Sequence, residues 1–314
     1  MDKQKILIVG GAGYIGGFLT DLLKSKGYEV TVLDNLLYET RFLKQVNFIL
    51  GDISDHDFIN EVTKDYDIVV WLAAIVGDGA CAANKEKAKL INEDAVKNLV
   101  DNFNGKIIFT STCSVYGENK DFIDEEATPN PLSVYAETKL AAEQYIVHNY
   151  DDYLIFRLGT LHGMGDLFSR IRLDLVVNIL TCKAVMGEEL SVFGGEQWRP
   201  LVHVKDVSRA ILFGLNNNVK GLYNLSENNY KIIDIAESIQ SNIENVKIDS
   251  QDMPFEDQRN YKVKNQKILE TGWRPDYSLD DGIKDIAKVI KGDRIIDIKD
   301  PIYSNESFLK KIKY

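Results

Sequence analysis

The sequence predicts an α/β protein built on a doubly wound parallel sheet, followed by a smaller C-terminal lobe. Three observations predict it. Short β-branched runs alternate with amphipathic stretches through the first half, the pattern of βαβ units on a parallel sheet. The first run ends in a glycine-rich turn that opens directly into a helix. Beyond about residue 165 the alternation loosens, and the chain reads as a lobe that covers a bound ligand.

In order, the strands are Lys5–Val9, Glu29–Leu33, Val46–Leu50, Asp67–Leu72, Lys106–Thr110 and Tyr153–Leu158, with helices at 14–26, 55–64, 85–103 and 134–150 between them. A helix at 169–185 and a strand at Leu190–Phe193 follow. The first domain is assigned to 1–165, with the stretch 199–226 returning to its sheet through Arg199–Val207 and Gly221–Ser226. The rest of 166–314 forms mainly the second lobe, and the tail 292–314, which has little pattern, is left to wrap the surface.

Composition narrows the function. The chain has 314 residues, 45% of them hydrophobic, enough to bury a large core. A net charge of −11 without a Lys/Arg run argues against a nucleic-acid partner, because a phosphate backbone would be repelled. Cys81, Cys113 and Cys182 have neither zinc-site nor disulfide-framework spacing, so no metal is expected and a reducing cytoplasm is the expected location. The apolar run before the first glycines is too short for a signal peptide or a membrane span, so no membrane partner is expected.

The turn Gly10-Gly11-Ala12-Gly13-Tyr14-Ile15-Gly16 lies between strand and helix, where backbone N–H groups and the helix N-terminus hold a pyrophosphate. Asp34, followed by Asn35 at the end of the second strand, is placed to accept both ribose hydroxyls of NAD and to repel the 2′-phosphate of NADP. Asp52 and Ile53 follow the third strand and face the adenine. Leu72, Ala73 and Ala74 follow the fourth, where small side chains let the backbone pass close to the cofactor. The expected cofactor is NAD on a Rossmann-type sheet.

Tyr135 and Lys139 lie four apart, on one face of a helix. An ammonium beside a phenol lowers its pKa from about 10 and makes it a general base for a hydroxyl. The stretch Phe109–Gly117 brings small hydroxyl side chains to the same sheet edge, where one can orient the reacting oxygen.

The segments GGAGYIG, Asp34, GDISD, LAA, STCSVYG, YAETK and RPLVHVKDV occur in the order and spacing of the extended short-chain dehydrogenases acting on nucleotide sugars. From Lys5 to about Gly282 the chain resembles this NAD-dependent epimerase/dehydratase family. The resemblance implies a nucleotide-diphosphate sugar as substrate and a catalytic set of Thr112, Tyr135 and Lys139, with Lys139 also binding the nicotinamide ribose. It implies Gly10, Gly13 and Gly16 as the glycine motif, with Tyr14 and Ile15 beside them, and Asn92 as the family's usual asparagine. It implies that Arg199 pairs with the substrate diphosphate, with Arg259 as a second such arginine. It places Val192 and Phe193 against the base.

Departures from the family pattern select the reaction. Dehydratases of the family carry an acid pair after the catalytic Ser/Thr, and decarboxylating members a Glu; here Cys113 and Ser114 stand there, on the substrate side, and cannot replace carboxylates. Members that epimerise beside a ketone use a Cys and a His; their Cys corresponds to Ser114, and His162 is placed to approach the sugar. Arg170, Arg172 and Asn178, at the start of the second lobe, are candidates for the diphosphate or sugar.

What remains is oxidation of the sugar C4 hydroxyl to a 4-keto sugar, with 4-epimerisation as the alternative and a non-catalytic NAD sensor as a remoter one. Within the family the overall resemblance is to C4 dehydrogenases of GDP-manno-heptose in capsule and surface-polysaccharide biosynthesis. Relatives pair through the helices corresponding to 85–103 and 134–150, which implies a homodimer.

Overall fold

The computed structural model describes residues 4–39, 41–251, 260–295 and 297–314. Seven parallel strands form its large sheet, in the order Gly221–Leu225, Tyr153–Leu158, Lys106–Thr112, Ile68–Trp71, Lys5–Val9, Glu29–Asp34 and Asn47–Leu50. The chain adds strands outward on one side of Lys5–Val9 and then crosses to the other with Ile68–Trp71. That reversal opens a crevice at the carboxyl ends of these two strands.

The inner strands are apolar on both faces because both are covered. On one face Ile6, Ile8, Val70 and Ile108 pack with Leu19 and Leu23 of the helix Gly16–Ser25 and with Val207 and Ile211 of Val204–Asn216. On the other, Leu7, Val9, Trp71 and Phe109 pack with Ile59, Leu99, Ala142 and Ile146, from the helices His56–Thr63, Ala95–Asn102 and Val134–Asn149.

The second lobe has its own core, in which Val177, Leu190, Val192, Ile235, Ile239 and Ile283 unite the helices Val176–Val185, Ile232–Asn242 and Leu279–Lys291. Leu190–Phe193 pairs with Ile248–Gln251, and Glu118–Ile123 with Asn260–Val263. Among the described residues, no helix is long and apolar enough to cross a membrane.

The structure departs from the expected elements in four places. Of the stretch 199–226, Gly221–Leu225 pairs in the large sheet, but Trp198–His203 joins a separate three-stranded sheet with Thr160–His162 and Asn228–Lys231. The helix expected at 169–185 begins only at Val176. Before it, the Arg170 and Leu173 N–H groups are taken by the Ala12 and Tyr303 carbonyls, so tertiary bonds replace helical ones. The segment 85–103 is interrupted by a π-helical turn at Leu90–Asp94. The tail is ordered: the helix Asn305–Ile312 packs its Phe308 ring on Tyr38, 5.3 Å between centroids.

Candidate active site

Gly10 has a φ of +83°, and a Cβ there would lie 2.6 Å from the Ala73 backbone nitrogen. Gly16 is equally constrained, because a Cβ would meet the Gly11 backbone at 2.5 Å. These glycines draw the first and fourth strand ends together and aim the helix Gly16–Ser25 at the crevice. Its first turn has no acidic residue and no side-chain cap, so the positive end of its dipole is left for an anion.

Asp34 stands at the end of the second strand, its Oδ2 accepting from Ala12 N at 3.0 Å and its Oδ1 from Leu36 N at 2.8 Å. Burial raises its pKa, and the two N–H groups oppose the rise. Asn35 donates to Asp52 at 3.1 Å. Burial alone would raise the Asp52 pKa, but bonds from Ser54 and Asn35 outweigh it and lower the value.

Gly10, Gly13, Tyr14, Ile15, Asp34, Asn35, Ile53, Leu72, Ala73 and Ala74 face one crevice of about 190 Å³, whereas Gly16 and Asp52 are not on its wall. Tyr38, Asn305 and Tyr314 complete its wall. The glycine cradle, the open helix terminus and the ribose-side carboxylate fit a dinucleotide.

Asn92 is buried outside that wall. Its amide exchanges hydrogen bonds with the Ile75 backbone at 2.8 and 2.9 Å and donates to Thr138 at 3.3 Å. It shapes the loop behind the crevice, and the π-helical turn carries it there.

At the inner end of the crevice lie Tyr135 and Lys139. Ser133 caps their helix, accepting from Ala136 N at 3.2 Å, and Glu143 ties it to the sheet through buried Arg157 at 2.5 Å. Lys139 is fully enclosed, its ammonium 3.9 Å above the Phe109 ring, and burial lowers its pKa to about 7.

Tyr135 corrects the simple expectation of an ammonium-lowered phenol. Burial raises its pKa well above the usual range; the Arg172 guanidinium and a hydrogen bond with Thr112 oppose the rise. Thr112, the last residue of its strand, also accepts from Ser114 N at 3.1 Å. The Ser111 hydroxyl is buried without a protein partner at the same place.

A second cavity, of about 670 Å³, meets the crevice at Val76, Ser111, Tyr135, Leu158, Leu161, Arg172 and Asn305. Thr112, Ser114, Val192, Phe193 and Arg199 line it, as expected, together with Lys183, Gln197 and Tyr261. Arg172 is held by Asp174 at 2.9 Å and belongs to both walls.

Four expected substrate contacts do not reach this cavity. Cys113 turns into the core, where it packs with Val115 and Val263 and donates to the Arg157 carbonyl at 3.2 Å. His162 is enclosed where the lobes meet, edge-on to His203 at 5.2 Å, and burial holds its pKa down at about 3. Asn178 is a brace, bonding Gly163 N at 3.0 Å and the Arg172 carbonyl at 2.8 Å. Arg170 lies in the dinucleotide crevice instead. Arg259 is outside the described residues.

The sequence reading missed Tyr38, Asn305 and Tyr314. The tail did carry a signal: Asp300-Pro301 and Ser304 are helix-start residues, and Asp300 and Ser304 do cap the turns that follow.

The family model for the NAD dependent epimerase/dehydratase family matches residues 6–226. A putative UDP-glucose 4-epimerase of Methanocaldococcus jannaschii is 30% identical over 309 residues, covering 91% of this chain and 98% of that protein. The crystal structure of UDP-glucose 4-epimerase with UDP-glucose from Thermotoga maritima has a TM-score of 0.79 at 25% identity, covering 92% of this chain and 99% of the other. UDP-glucuronic acid 4-epimerase from Bacillus cereus, in complex with UDP-glucuronic acid and NAD, has a TM-score of 0.78 at 26% identity with the same coverage.

Proposed function

The chain belongs to the NAD-dependent epimerase/dehydratase family, and from that premise we propose that it oxidises the C4 hydroxyl of a nucleotide-diphosphate sugar to the 4-keto sugar. The observation that carries this reading is the junction of the two cavities at Tyr135, Ser111 and Arg172. A ligand in the larger cavity and a dinucleotide in the crevice meet along this shared wall, which Val76, Leu158, Leu161 and Asn305 extend.

Thr112 and Ser111 orient the sugar hydroxyl, and Tyr135 takes its proton. When bound, NAD supplies the hydride acceptor. Lys139 bonds the nicotinamide ribose and contributes positive charge beneath the site, while Arg172 favours the Tyr135 phenolate. Arg199 pairs with the diphosphate, and Val192 and Phe193 flank the base. Ser114 leaves the strand end without the carboxylate that water elimination needs.

A GDP-manno-heptose-like sugar of capsule or surface-polysaccharide biosynthesis, in the cytoplasm, is the substrate this reading favours, on overall sequence likeness. A small 2-oxo acid reoxidising the NADH in the same pocket would close the cycle; failure of every such acid to restore turnover removes that part of the proposal. A second reading, 4-epimerisation, is favoured by the named activities of the relatives. It differs only in returning the hydride to the opposite face of the ketone.

Purified enzyme with NAD and GDP-, UDP-, CDP- and dTDP-sugars, followed at 340 nm and by mass analysis, decides between them. Loss of two mass units from one sugar with NADH formed establishes the dehydrogenase. An isobaric product without net NADH overturns it in favour of the epimerase.

A further inference from the structure

Arg170 is buried in the dinucleotide crevice, yet it approaches from the second lobe. Its backbone N–H donates to the Ala12 carbonyl of the glycine turn at 3.2 Å. Its guanidinium lies 3.7 Å over the Tyr38 ring, and Nη2 donates to Asn305 Oδ1 at 2.9 Å. Nε and Nη1 are buried with no hydrogen-bond partner among the described residues.

Its nearest acids do not bond it. Arg172 lines the same crevice and has Asp174 as its counter-ion at 2.9 Å. The acids whose fields reach Arg170, Asp174 and Glu39, make no hydrogen bond to it, and Tyr38 and Asn305 are neutral. A buried guanidinium with two unbonded donors is costly until a ligand completes it. A bound anion would supply the acceptors that the Nε and Nη1 donors lack.

We propose that Arg170 clamps the cofactor pyrophosphate, with Asn305 as the positioning residue that fixes the fork, so that the C-terminal helix and the second lobe complete the dinucleotide site. The planar donors of a guanidinium suit that diphosphate. The ribose end is excluded as the anion's seat because Asp34 already places a carboxylate there. The sugar nucleotide is set aside because Arg170 lines the crevice alone, while its partner Asn305 borders both cavities.

The proposal rests on NAD occupying this crevice, not on which sugar is oxidised. NAD, NADP, ADP-ribose, GDP and UDP are titrated calorimetrically onto cofactor-free wild type, Arg170→Met, Arg170→Lys and Asn305→Ala. Arg170→Met is expected to weaken NAD and ADP-ribose by about 10- to 100-fold, the loss of a charged hydrogen-bond pair, and to leave GDP and UDP unchanged. Arg170→Lys recovers part of the loss, and Asn305→Ala shows a smaller loss that vanishes in the Arg170→Met background.

NAD binding unaltered in Arg170→Met overturns the assignment. So does a loss confined to GDP and UDP, or one confined to NADP. Should Arg170→Met fail to unfold cooperatively, wild-type NAD affinity in Asn305→Ala overturns it alone. A wild type that binds no NAD refutes the dinucleotide site itself, a separate failure.

Discussion

At the scale of single residues, the site is governed by what burial does to charge. Tyr135 holds its proton in the enclosed pocket, so turnover depends on raising pH or on nearby cations to release it. Tyr135→Phe is expected to lower sugar oxidation by at least about 10²-fold while NAD still binds, as checked by turnover at 340 nm and by calorimetry. Lys139 carries a depressed folded pKa of about 7. Its unfolded value is about 10.4, so between these values the unfolded chain binds more protons and stability rises with pH. Lys139→Met is therefore expected to stabilise the cofactor-free protein most below pH 7, with the difference fading towards pH 10; thermal unfolding across that range checks it, and a pH-independent gap would refute it. Tyr135 and Lys139 were legible as a pair in the sequence. Their electrostatics were not, because the Arg172 guanidinium reaches Tyr135 from the second lobe and no sequence spacing reports that approach.

At the scale of elements, the helix Val134–Asn149 positions the chemistry and Glu143 positions the helix. Its carboxylate takes both Nε and Nη2 of Arg157, which also donates to the Tyr116 hydroxyl at 2.7 Å. Glu143→Ala leaves a buried guanidinium half paired and is expected to cost about 3–5 kcal/mol, measured by denaturant unfolding; a loss under about 1 kcal/mol, the surface-pair range, would contradict a buried role. The strands and helices of the first half were readable because each follows one apolar period. The π-helical turn at Leu90–Asp94 was not, since it exists to swing Asn92 under Ile75, a demand made by a partner 17 residues away. The extended run before Val176 was hidden for a similar reason: its backbone donors are spent on Ala12 and Tyr303.

At the scale of the whole molecule, two lobes and the chain end enclose two cavities that share one wall. The helices Ala95–Asn102 and Val134–Asn149 pack side by side within the subunit. Leu90, on the π-helical turn before the first of these helices, and Val147, on the second, remain exposed, and a homodimer through this face is the assembly we propose. Light scattering is expected to give twice the 35.5 kDa chain mass, and Leu90→Glu with Val147→Glu to return it to the single mass; a wild-type monomer would refute the interface. By itself the sequence determined the parallel sheet, the glycine cradle with Asp34, and the Tyr135–Lys139 pair, because each is written in a local period or a short spacing. Only the tertiary structure decided that Cys113, His162 and Asn178 turn away from the substrate cavity, and that Arg170 and the C-terminal helix close on the dinucleotide crevice. Those outcomes depend on which buried groups meet between separate elements, as with Cys113 and Arg157, 44 residues apart, and Arg170 and Asn305, 135 apart, and such contacts leave no periodic trace in the sequence.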